Sequence, residues 1–153
     1  MVFCAINLID FATITPHFIP EVLEKQSVGN PIAVSLGAIA GSLSRYYLSI
    51  WLAQHFGTSF PYATIFVNLT GSFTMGLITT LVLERALLLS PEVRLLIAVG
   101  FLGSYTTFST YELDTVNLVR KSNINTAFAY WMGSAVLGSF SIYLGAVAAR
   151  LIT

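Results

Sequence analysis

The stretch that decides how this chain is read is Gly100–Asp114, "GFLGSYTTFSTYELD", which follows directly on the apolar run "VRLLIAV" at Val93–Val99. Two glycines, Gly100 and Gly103, come before Ser104, Thr106, Thr107, Ser109 and Thr110. Glycine is a poor helix former, and short hydroxyl side chains compete for the backbone's own hydrogen bonds. The pattern predicts an interrupted helix. Irregular backbone at membrane depth is tolerated only where it is buried in protein or lines a cavity. Carbonyls freed at such a break can bind a small hard cation. Phe108 and Tyr111 are three apart and share a helical face, and aromatic ring edges are electropositive. The stretch predicts a polar, broken, pathway-lining element. It does not name the ion.

The composition says why a membrane is expected around it. The chain has 153 residues, enough for one domain, and is 56% hydrophobic and 9% charged with a mean hydropathy of +0.79. A soluble domain carries about 25% charged residues. A globule this poor in charge could not cover its own surface, so the expected solvent is lipid. The net charge is zero, which leaves no basic footprint for nucleic acid. Cys4 is the single cysteine, so no intrachain disulfide can form, and His17 and His55 lie too far apart for metal-ligand spacing. No acid–base pair or nucleophile constellation appears, which argues against an enzyme.

Four segments are long enough to span, at roughly 20 apolar residues each. They are Pro31–Ala53, Tyr62–Leu83, Val93–Val119 and Thr126–Ala149. The expected fold is an all-α membrane domain over residues 31–153, with four transmembrane helices and the third one broken. Residues 1–30 have no Lys or Arg before Lys25 and an apolar run interrupted by Asp10, unlike a signal or transit peptide. They read as an N-terminal extension, interfacial or disordered. With four spans, Lys25, Arg85, Arg94 and Arg150 share one side, against Arg120 and Lys121 on the other, joined by Arg45 if it snorkels that way. This bias is weak, and a weak bias permits insertion in both orientations.

Polar residues inside a membrane are costly and often functional. Thr64, Asn68 and Ser72 are four apart and line one face of the second span. Asn68 reads either as glue between helices or as a donor in a pathway. Tyr130 and Ser134 repeat the spacing in the fourth span, where Gly133, Gly138 and Gly145 also suit plain small-residue packing. Gly37 and Gly41 form a GxxxG that says only that helices approach closely. Arg45 lies about 22 Å into the first span and serves either as a snorkelling anchor or as an anion site at a vestibule.

At this point the residues resemble a known family. "GSLSRYY" in the first span, "FPYATIFVNLTGSFTMG" entering the second and "GFLGSYTTFSTYE" in the third are similar to the Fluc (CrcB) fluoride channels. The likeness runs from about residue 33 to 150. It implies an antiparallel dual-topology homodimer in the cell membrane (the inner membrane of a two-membrane bacterium) that exports fluoride passively and relieves its toxicity. It implies that Asn68 donates to fluoride in the pore, with Thr64 one turn before it, and that Phe108 and Tyr111 are the pore aromatics. Tyr111 departs from the family's phenylalanine, and its extra hydroxyl needs a partner: Thr107, a fourth-span serine or the ion itself. Thr107, Ser109 and Thr110 fall in the hydroxyl track of the motif. Tyr130 and Ser134 match the fourth-span polar track, whose next serine is Gly138 here. Arg45 matches a vestibule arginine. Gly103 and Thr106 match the positions whose backbone carbonyls hold a structural Na⁺ at the dimer interface.

Two other readings compete. A small dual-topology, proton-coupled exporter of cations or drugs needs a mid-membrane carboxylate, and Glu84 and Glu112 both fall near span ends. A non-transporting assembly subunit needs no file of hydroxyls.

Overall fold

The structure is a computed structural model that describes residues 29–84, 87–121 and 124–152, and among these every regular element is helical. Lys25, Arg85 and all but the last two residues of the expected extension lie outside them. Helix α1 runs over Gly29–Phe56. It stops at Gly57, whose φ of 78° is open to glycine without strain and whose N–H closes on the Ala53 carbonyl at 2.9 Å. Helix α2 covers Tyr62–Leu83, the bounds expected from the sequence.

Ser90 starts the third segment. Its hydroxyl accepts the Val93 N–H at 3.4 Å, and Pro91 occupies the first turn, where a missing N–H costs nothing. Helix α3 (Pro91–Arg94) continues into a π-helical run, Leu95–Leu102, and then α4 (Gly103–Tyr105). Thr106 is extended, with φ −80° and ψ 160°. Helix α5 then covers Phe108–Lys121, and α6 covers Ile124–Ile152. Gly100 and Gly103 both stay inside helical turns; the backbone leaves the helix only at Thr106.

Helices α2 and α6 are each long and apolar enough to cross a membrane. Helix α1 is as long but carries Arg45 and several serines, and the third segment is divided.

Glycines set how these elements meet. On α1, a Cβ at Gly37 would strike the Leu96 carbonyl and one at Gly41 the Phe101 carbonyl. Further along, Arg45 reaches Thr106. The contacts climb together, so α1 and the third segment run parallel. Between α2 and α6, Ser72 faces Gly138, Gly76 lies against the Ile142 carbonyl and Glu84 reaches Arg150, a rising order that makes these two helices parallel too. By contrast Thr64 meets Asp114, Asn68 meets Thr107 and Thr70 meets Tyr105, a falling order that makes α2 antiparallel to the third segment. The four long segments therefore alternate in direction. Glu84 and Arg150 pair at 2.9 Å where α2 and α6 end together.

The buried core is thin, and the outside is apolar. Ile32, Leu36, Ile39, Leu43, Tyr46 and Tyr47 on α1 are all at least half exposed. A contiguous apolar exterior of this kind suits lipid or a protein neighbour rather than water.

Candidate functional site

The site is built where α2, the Thr106–Thr107 interruption, α5 and α6 converge. Asn68 is its hinge pin. Its Nδ2 donates to the Thr107 carbonyl at 3.1 Å, and its Oδ1 accepts the Thr107 N–H at 2.8 Å. This two-point grip on the backbone of one residue is the glue between helices that the sequence offered as one reading of Asn68. The grip uses one of the two N–H donors of the amide. Thr107 is buried, and its hydroxyl accepts the Thr110 N–H at 3.3 Å and donates to Thr110 Oγ1 at 2.9 Å, which caps α5.

The same grip leaves backbone oxygens outside the helical ladder. In a continuous helix the Thr107 N–H would close on Gly103, but it goes to Asn68 instead. The extended Thr106 turns its own carbonyl away, where Arg45 Nη1 donates to it at 3.4 Å. Gly71 lies under the interruption, and a Cβ there would strike the Thr106 methyl. No group of His, Cys, Asp and Glu suited to a metal ion exists among the described residues. A cation at this site would have to use carbonyl oxygens, and those of Gly103 and Thr106 have the right donor chemistry for a small hard ion.

The aromatic residues form a connected row. The Phe108 and Tyr111 centroids are 5.7 Å apart, Tyr111 and Tyr130 are 5.4 Å apart, and Phe60 meets Tyr130 edge-on at 5.8 Å. Phe108 is 74% exposed, while Tyr111 is buried. The Tyr111 hydroxyl donates to the Trp131 carbonyl of α6 at 2.6 Å, and neither Thr107 nor a fourth-span serine takes it.

Two hydroxyls on α6 are different. Ser134 Oγ is buried without a hydrogen-bond partner, and Tyr130 OH is buried beside Thr64 and Asp114 without closing a hydrogen bond to either. They lie one turn apart beside a groove of about 530 Å³ walled by Phe60, Ile65, Gly133 and Leu137. A second groove of about 340 Å³ opens beside Thr64, Thr110, Asn117 and Lys121.

Asp114 is the residue that sequence reasoning passed over. Thr64 Oγ1 donates to Asp114 Oδ2 at 2.6 Å, which brings a carboxylate to the wall of the second groove. Its spacing was a usable signal: Thr107, Thr110 or Tyr111, and Asp114 recur every three or four residues, so they share one face of α5. Of the sequence-predicted residues, the structure brings Thr64, Thr110, Tyr130 and Ser134 to the two grooves, Asn68 and Thr107 into the grip, and Phe108 and Tyr111 into the aromatic row. Arg45, Gly103 and Thr106 sit behind the interruption. Ser109 is exposed and joins neither group.

Comparison with known proteins places the chain in a family. The family described as "CrcB-like protein, Camphor Resistance (CrcB)" matches residues 32–146. A protein of Trichormus variabilis named fluoride-specific ion channel FluC is 58% identical over 130 residues, covering 85% of this chain and 95% of its own. Proteins of the same name from a Synechococcus strain and from a Synechocystis strain are 56% and 48% identical, over 79% and 83% of this chain. The match spans all four long segments and takes in every residue of both grooves, and the chain belongs to the CrcB-like family.

Proposed function

We propose that this chain is a fluoride channel that lets the ion leave the cell passively down its gradient. The observation that carries this reading is the pair of buried, unpartnered donors, Tyr130 OH and Ser134 Oγ. A buried hydroxyl without a partner costs about 1–3 kcal/mol, so their site suits an acceptor that arrives from outside the chain. Fluoride is a small, strongly hydrated acceptor. A pore for it must replace the hydration shell with donors, each weak enough to release the ion. The free N–H of Asn68, Tyr130 and Ser134 supply such donors, Thr64 would add one only by releasing Asp114, and the edges of Phe108 and Tyr111 add electropositive carbon-bound hydrogens. A file of donors spaced for fluoride would reject the larger chloride. The names of the relatives point the same way.

The functional unit in this reading is an antiparallel, dual-topology homodimer of four-span subunits in the cell membrane. The exposed apolar face of α1, the largely exposed ring of Phe108 and the alternating directions of the four segments all support it. The interruption at Thr106–Thr107 is then a functional break in the third span. The carbonyls of Gly103 and Thr106 would hold a structural Na⁺ between subunits, and Arg45 would stand in the vestibule. A bound Na⁺ supplies fixed positive charge at the interface. Arg45 already contributes a donor to the Thr106 carbonyl, so it and the cation would share that oxygen.

The proton-coupled exporter is not favoured: Glu84 is paired with Arg150 at the helix ends, the Asp114 carboxylate is engaged by Thr64, and the relatives are named fluoride-specific ion channels. Fluoride efflux from proteoliposomes, read with a fluoride electrode, tests the proposal. Rapid efflux that does not depend on a proton gradient is expected, and efflux that requires one would favour the exporter.

A further inference from the structure

Most hydroxyls along α2 and α6 whose bonds can be traced are absorbed by their own helix. Thr70 donates to the Phe66 carbonyl at 2.7 Å, Thr74 to Thr70 at 2.8 Å and Ser139 to Ala135 at 3.0 Å. Ser72 is not absorbed in this way. It stands one turn beyond Asn68 on the same face of α2, is half-buried, and makes no hydrogen bond within the described residues. Across from it on α6 is Gly138, one turn beyond Ser134. A Cβ placed at Gly138 would stand 4.0 Å from Ser72 Oγ, with nothing nearer. There is room at Gly138, and its nearest wall is a hydroxyl.

We propose that Ser72 is a further permeation residue, donating its hydroxyl to fluoride in the space left open at Gly138. This rests on the fluoride-channel reading above. Donors then continue along the α2–α6 seam past Asn68 and Ser134: where α6 turns to glycine, α2 supplies the hydroxyl. An anion moving along a buried seam needs a donor at each station, because a stretch with none imposes the full cost of desolvation. Glycine at 138 keeps the station wide enough for fluoride next to Ser72, and the serine sets its polarity.

The test uses full-length protein in proteoliposomes, with dimer content followed by size exclusion. Ser72→Ala removes one donor and should slow fluoride efflux roughly tenfold, the order expected for one lost hydrogen bond to a charged group. Gly138→Ser places a hydroxyl in the same space and should restore efflux in the Ser72→Ala background to within about twofold of the wild type. Should Ser72→Ala fail to assemble, Ser72→Thr and Ser72→Val form a pair of equal shape differing by one hydroxyl, and the threonine variant alone should conduct. Wild-type efflux in Ser72→Ala, or equal efflux in the threonine and valine variants, would overturn the role of Ser72 while leaving the channel reading intact. A folded wild-type chain that moves no fluoride would overturn both.

Discussion

Asn68 holds the Thr107 peptide by both its N–H and its carbonyl, at 2.8 and 3.1 Å, across the seam between α2 and the third segment. One side chain thus does what a helical turn would otherwise do for that peptide, and in doing so it diverts the N–H that Gly103 would have received. The position of the interruption and the exposure of the Gly103 carbonyl have one cause.

Replacing Asn68 should therefore affect fold and flux together. Asn68→Ala removes both bonds and leaves the Thr107 peptide unsatisfied in a buried place, a cost of about 1–3 kcal/mol. Thermal unfolding in detergent should shift down by several degrees, and fluoride efflux from the protein that remains assembled should fall more than tenfold. Asn68→Asp should be worse, because a carboxylate oxygen would face the Thr107 carbonyl. An assembled Asn68→Ala variant with wild-type efflux would remove Asn68 from the pathway.

Tyr111 carries a separable prediction. Its hydroxyl is spent on the Trp131 carbonyl, whereas its ring lies between Phe108 and Tyr130. Tyr111→Phe loses a hydrogen bond worth about 1 kcal/mol and keeps the ring, so efflux should stay within a few-fold of wild type while the unfolding temperature drops slightly. Tyr111→Ala empties a buried ring site at about 3–5 kcal/mol and should impair both. Loss of efflux in an intact Tyr111→Phe dimer would assign the hydroxyl a role in permeation.

The glycine seams are predicted to tolerate almost nothing. At Gly76 and Gly145 the obstacle is backbone carbonyl, of Ile142 and Phe73 respectively, which cannot swing aside as a side chain can. Gly76→Val and Gly145→Val should each prevent recovery of monodisperse protein. Gly133, with nothing near its Cβ position, should accept alanine without change. Size exclusion of the three variants checks the contrast.

The proposed Na⁺ site predicts an ionic dependence. Replacing Na⁺ exhaustively by a large organic cation should weaken the dimer, because an ion that binds only the assembled form stabilises it by linkage. Arg45→Gln should sharpen this dependence, since it removes a competing positive charge from the Thr106 carbonyl. Dimer stability indifferent to Na⁺ in both proteins would argue against the site.

The parts legible in the sequence were those governed by local rules. The bounds of α2 follow from an apolar run between Pro61 and Glu84, and Thr64 and Asn68 share a face because helical spacing puts them there. Residues decided by tertiary partners were not legible. Gly100 reads locally as a helix breaker, yet it stays helical and lets α1 approach at Gly37. The helix is left instead at Thr106, where a side chain from α2 supplies the partners for the next peptide. The acceptor for Tyr111 was equally hidden, since a backbone carbonyl on another helix leaves no mark in composition or spacing. Asp114 was visible in its spacing, yet the sequence reading gave it no role.

The central claim, that buried donors along this seam pass fluoride, is tested most directly by fluoride efflux from proteoliposomes containing the wild-type chain, with chloride retention measured in the same vesicles. The predicted result is rapid, passive loss of fluoride while chloride stays trapped. Vesicles that carry folded, dimeric protein and yet hold fluoride as well as empty ones, or that release chloride just as fast, would contradict it.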